Sequence, residues 1–170
     1  MVRLTRLIAT LLLLGLPCQA AVVAGSDHPD ELIVEKGKRQ LHLVRHGKPY
    51  KTFLVALGFT PDGRKGCEGD GKTPEGNYRI DARNSASGYH LSLHISYPSA
   101  DDRARALADG CAPGGDIMIH GSPDWAPEWL LTVYRLFKPD WTRGCIAVSN
   151  AEIDELFAQV KTNTRIRILP

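Results

Sequence analysis

"ELIVEKGKRQLHLVRHGKPYKTFLVALG", residues 31–58, decides the fold. Apolar residues recur at every second position: Leu32 and Val34, then Leu41 and Leu43, then Phe53, Val55 and Leu57. Successive side chains of a strand point to opposite faces, so period two marks half-buried strands rather than a helix. Gly37 and Gly47 fall between the three runs and supply the breaks. The stretch predicts three antiparallel strands joined by tight turns.

The pattern downstream adds strands and a few helices. Residues 60–76, "TPDGRKGCEGDGKTPEG", form a long loop rich in glycine and proline. Long ordered loops are usually functional. "NYRIDA" resumes a strand, and "YHLSLHIS" alternates Leu91, Leu93 and Ile95 on one face. "SADDRARALADG" reads as a short helix, with Asp101 and Asp102 in its first turn and Gly110 at its end. "DIMIHG" is a short strand. "PEWLLTVYRLF", 127–137, puts Trp129, Leu130, Val133, Leu136 and Phe137 at helical spacing between Pro127 and Pro139. "SNAEIDELFAQV" is the clearest helix: Ser149 and Glu152 make a capping box, and Ile153, Leu156, Phe157 and Val160 share a face. "TRIRIL" closes as a strand. The expected architecture is one mainly β domain with helical insertions.

The N-terminus reads differently. Arg3 and Arg6 precede the uncharged apolar run Leu7 to Leu16, and the small residues Ala20, Ala21 and Ala24 follow. That order marks residues 1–24 as a secretory signal, cut after Ala20 or Ala24. Pro17 before Cys18 is a poor match to a lipidation site. Residues 25–30 are expected to be a short flexible lead, and 31–169 the domain proper. Without Arg3 and Arg6 the chain carries 19 basic and 19 acidic residues. With no basic stripe, nucleic acid is not an expected partner. The expected location is the periplasm or the exterior, with no membrane association of the mature form.

Export leaves three cysteines, Cys67, Cys111 and Cys145, an odd number for an oxidising compartment. Cys67 and Cys111 lie in glycine-containing loop stretches, and pairing them would leave Cys145 free. Three pairings are possible from sequence alone.

Three constellations carry candidate chemistry. "LHLVRHGK" looks like the Arg-His-Gly opening of the histidine phosphatases, but that fold needs a helix after the motif and here a strand follows. In a hairpin, His46-Gly47-Lys48 is turn chemistry. His42 with His46, and His90 with His94, have HxxxH spacing. On a strand those positions lie roughly 13 Å apart, too far to share one ion. No metal is expected. The third is His120, at the end of an apolar strand, with Cys145, at the end of "DWTRGC". An imidazole can take the thiol proton, and amides around Gly144 and Cys145 can face a developing oxyanion.

Three stretches together resemble the L,D-transpeptidase catalytic domain (YkuD-type) family: "GKTPEGNY" at 71–78, Ile119-His120-Gly121, and Thr142-Arg143-Gly144-Cys145-Ile146. The resemblance covers about residues 31–169. It implies a β-sandwich-like fold and an exported cysteine acyltransferase acting on peptidoglycan stem peptides without a cofactor. Cys145 matches the nucleophile and His120 the proton donor and acceptor. The imidazole would be oriented by a backbone carbonyl near Gly121 or Ser122. Gly144 matches the oxyanion-hole backbone, and Thr142, Arg143 and Ser122 match substrate-binding positions. The acyl acceptor is open between a second stem, an envelope protein, a D-amino acid and water, the last giving a hydrolase. A non-catalytic wall-binding module of the same fold is the alternative. The chain departs from the family at Arg143, where His is usual, and at Ala147, where Arg or Asn is frequent. The segment between His120 and Thr142 is longer than usual.

Overall fold

Strands β1 (Glu31–Glu35), β2 (Gln40–Arg45) and β3 (Lys48–Leu54) form the predicted antiparallel meander. The β2–β3 turn is His46-Gly47, both with positive φ (51° and 73°). This is the two-residue turn whose twist matches the strands it joins. The His46 side chain is exposed, so the Arg-His-Gly motif is a hairpin tip. The computed structural model describes residues 27–127, 129, 130, 133, 137 and 139–170.

The remaining elements are β4 (Gly76–Ser87), β5 (His90–Ile95), α1 (Ala100–Ala108), β6 (Met118–His120), β7 (Ile146–Ala147), α2 (Asn150–Gln159) and β8 (Arg165–Leu169). The sheet order is β3-β2-β1-β8-β4-β5-β6-β7. The chain's last strand is inserted parallel to its first, beside β4. The long β4 joins two halves: Gly76–Arg79 pairs with β8, and the part from Ile80 onward pairs with β5. The far ends then meet. Ala56 and Ala147 exchange two backbone hydrogen bonds of 2.8 Å, and Gly58 bridges to Thr142. A sheet folded back on itself in this way buries one continuous core.

That core is what period two demands. Leu32, Val34, Leu41, Leu43, Phe53, Ile166 and Ile168 come from one half, and Leu93, Ile95, Ile119 and Ile146 from the other. Ile153 and Leu156 of α2 and Val160, just after it, join the same cluster, with Phe157 packed against it. Both capping boxes are present: Ser149 with Glu152 on α2, and Ser99 with Asp102 on α1.

The signal segment 1–24 lies outside the described residues, and so does most of the expected helix 127–137. The described part of the lead is tied down. The Asp30 N–H donates to Val44 O, the His46 N–H to Asp30 Oδ2, and His28 Nδ1 to Gln159 O. No helix among the described residues is long and apolar enough to cross a membrane.

Candidate active site

The site sits where the two ends of the sheet meet. β6 ends at His120, and β7 begins at Ile146, directly after Cys145. The two strands run parallel, with Ile119 opposite Ile146 and His120 opposite Ala147. Hydrogen bonding thus fixes His120 and Cys145 on neighbouring strand ends.

The turn that delivers Cys145 is braced from within. Asp140 anchors its start, accepting from the Leu57 N–H and pairing with Arg39 (2.8 Å). The Thr142 hydroxyl accepts from the Gly144 N–H (3.1 Å) and donates to the Cys145 carbonyl (2.7 Å). Gly144 has φ +129°, and a Cβ there would come within 2.6 Å of Lys72 O. Glycine is required by both conformation and space. Lys72 and Thr73 belong to the long loop, which is itself held from inside. Buried Lys36 donates to Gly63 O, Thr73 O and Glu75, and Asp70 receives Lys65, the Gly66 and Cys67 amides and the Lys72 amide. A Cys67–Cys111 disulfide ties this loop to the segment before β6, and Cys145 is a free thiol.

The electrostatics favour an uncharged pair at rest. His120 is 5% exposed, and its Nδ1 lies 2.7 Å from Gly121 O. A carbonyl only accepts, so Nδ1 carries the proton and Nε2 is left as the free acceptor. Burial lowers the imidazole pKa, and the Gly121 carbonyl opposes that fall. The Cys145 thiol lies 3.5 Å from Asp116 O, to which it donates. Burial pushes this thiol up; a hydrogen bond from the Met118 amide and the charge of Lys65 work against that, while Asp116 adds to the rise. Tyr89 and Trp141 wall the imidazole, with ring centroids 4.6 and 5.8 Å away.

Two clefts meet at the sulfur. One, of about 510 Å³, lies under the disulfide-tied loops and is lined by Phe59, Lys65, Glu68 and Gly114. The other, of about 530 Å³, is lined by Asn84, Tyr89, His120 and Trp141. Cys145, Arg143 and Asp116 line both.

A sequence model of the L,D-transpeptidase catalytic domain matches residues 29–168. The chain belongs to this family.

Solved structures agree on the fold of this L,D-transpeptidase domain. The helical cell shape determining protein Pgp2 from Campylobacter jejuni matches with a TM-score of 0.60 and 24% identity, over 81% of this chain and 46% of that one. Bdellovibrio bacteriovorus Bd1075 matches with a TM-score of 0.55 and 25% identity, over 86% and 49%. Mycobacterium tuberculosis L,D-transpeptidase 1 matches with a TM-score of 0.50 and 12% identity, over 82% and 60%. The chain spans about half the length of the first two. No curated protein matches it.

Within the domain, the residues singled out from sequence fall in different places. His120 and Cys145 come together in one cleft, while Gly121 and Gly144 line neither of the two and shape the backbone beside them. The Gly144 amide is spent on Thr142, whereas the Cys145 amide has no acceptor among the described residues. Thr142, placed against substrate by resemblance, lines the second cleft but is 4% exposed and uses its hydroxyl inside the turn. Ser122 is also buried, its amide held by Asn150 Oδ1 (2.7 Å). Arg143 is exposed and lines both clefts. Ala147 is buried and lines neither. Among the described residues no cluster fits a metal. His42 bonds Thr52 and Glu35, and His94 bonds Asp81. Sequence reasoning missed Asp116, Lys65, Tyr89 and the Met118 amide. Asp116, Tyr89 and the Met118 amide meet the thiol or imidazole directly and Lys65 acts on the thiol through its charge, and no local pattern announces any of them. Trp141 stood inside the quoted "DWTRGC" and was passed over.

Proposed function

We propose that the chain is an exported L,D-transpeptidase-type cysteine acyltransferase acting on peptidoglycan stem peptides. The observation that carries the reading is a free thiol at the junction of two clefts, beside an imidazole whose unprotonated nitrogen is its free one. Cys145 Sγ attacks the carbonyl of an L-centre residue joined to a terminal D-residue while its proton passes to His120 Nε2. The Cys145 amide faces the oxyanion. The imidazolium returns the proton to the departing amine, and a thioester remains. An acceptor amine then attacks through the second cleft, giving its proton to Nε2 as the C–S bond breaks, and the imidazolium passes that proton to the departing Cys145 sulfur. Uncharged resting partners suit this general-base route rather than a preformed thiolate.

Arg143 has no ion-pair partner among the described residues, and it is not among the groups that shift the thiol. Its role in this reading is to meet a carboxylate of the stem. The signal segment and the disulfide support action in the periplasm.

Intact-mass analysis after incubation with a carbapenem tests the nucleophile. Wild type gains one adduct and Cys145→Ala gains none; equal labelling, or none in either, sinks the assignment. Muropeptide turnover followed by mass spectrometry identifies the acceptor. A donor amidated at its terminal carboxylate turns over poorly if Arg143 reads that group.

A further inference from the structure

Three buried side-chain nitrogen or oxygen atoms have no hydrogen-bond partner among the described residues: Arg45 Nε, Ser92 Oγ and Ser122 Oγ. Two of the three flank His120. Ser122 follows the glycine whose carbonyl holds the imidazole. Ser92 is the register partner of His120 across the β5–β6 pair. Buried polar groups almost always find a partner, so each orphan calls for an explanation.

The register makes Ser92 the more informative. Gly121 N donates to Leu91 O and Ile95 N to Ile117 O, so Leu91–Gly121 and Ile95–Ile117 are hydrogen-bonded pairs of the ladder. In an antiparallel ladder such pairs alternate with non-hydrogen-bonded ones, whose side chains stand closer together on one face. Ser92 with His120 falls at the close-approach position. Asn84, the partner of Ser92 on β4, continues the same row and lines the cleft with His120. Ser92 itself is 0% exposed. Its hydroxyl is therefore buried on the face of the ladder that carries the His120 side chain, with no hydrogen-bond partner among the described residues.

We propose that Ser92 is a positioning residue for His120, its hydroxyl dipole supporting the imidazolium that forms when the thiol proton arrives. This rests on the general-base role proposed above for His120. A hydroxyl can present either its hydrogen or its lone pairs, so it answers the change of charge without moving backbone. At rest the hydroxyl makes no hydrogen bond to the ring. In the charged state, in a buried site, the same dipole counts for more. The titratable or charged groups lining the cleft with His120 are Tyr89, Asp116, Arg143 and Cys145, and α2 contributes the neutral Asn150 at the adjoining turn.

The test is Ser92→Ala in the full chain, read in three ways. Removing an unpartnered buried hydroxyl relieves its desolvation cost, so the thermal midpoint rises. The His120 titration, followed by NMR, moves to lower pH. The acylation rate falls about tenfold, the usual scale for losing one hydrogen-bonding partner to a charge. A higher midpoint with unchanged titration and rate makes the hydroxyl a packing imperfection and overturns the proposal. A lower midpoint gives it a structural partner and overturns it as well. His120→Ala is assayed beside it: if that variant acylates normally, the general-base reading fails, whereas an inactive His120→Ala with a silent Ser92→Ala removes only the present inference.

Discussion

His120 and Cys145 are held uncharged by the same cause, burial, acting with opposite sign on a base and an acid. This sets a pH dependence. In the general-base route proposed for His120, acylation needs the neutral imidazole, and its pKa is lowered, so the acid limb of kcat/KM is expected below the ordinary histidine value of about 6.5. The thiol is raised, so no rise in rate from thiolate formation occurs near neutrality. Stability follows the imidazole as well. The unfolded chain takes up the His120 proton near pH 6.5 and the folded chain only at lower pH. Between those values the unfolded state holds more protons, so this contribution is present above about pH 6.5 and fades as pH falls. A pH series of acylation rates checks the first statement; an acid limb above 7 refutes it.

At the scale of elements, what was legible in the sequence was what is local. The meander of β1 to β3 follows from period two and two turns, and α2 follows from its capping box and its apolar face. The insertion of β8 between β1 and β4 was not legible, because its neighbours are chosen by long-range pairing and "TRIRIL" alternates equally well in any position. Nor was the second capping box, in which Asp102 takes the place usually held by Glu or Gln. Element ends also matter to the site. Asn150, the first residue of α2, holds the Ser122 amide two residues after His120, and Ser149 caps the same helix. Ser149→Ala is expected to cost about 1 kcal/mol of stability. Chemical denaturation measures it, and an unchanged midpoint would show that the cap is dispensable.

At the scale of the molecule, a single bent sheet brings residues 25 apart in sequence to adjacent strand ends, while the loops around them set the cleft walls. The Cys145–His120 pair was legible because it stands in short motifs. Its surroundings were not, because Lys65 and Asp116 approach from two separate segments. The disulfide between Cys67 and Cys111 joins those segments across 44 residues, and the Glu68 amide bonds Ala112 O beside it. Closing a loop of that length removes unfolded-state freedom amounting to about 4 kcal/mol in the chain-entropy account. The sheet closure at Ala56 and Ala147 does not depend on it. The double variant Cys67→Ser with Cys111→Ser is therefore expected to fold with a stability lower by a few kcal/mol. Acylation at Cys145 should weaken, because a wall of the cleft left to the acyl donor is freed, while transfer to an amine through the second cleft is retained. Denaturation midpoints and the ratio of acylation to transfer measure the two effects. Loss of both reactions together would show that the disulfide shapes the thiol itself rather than the wall beside it.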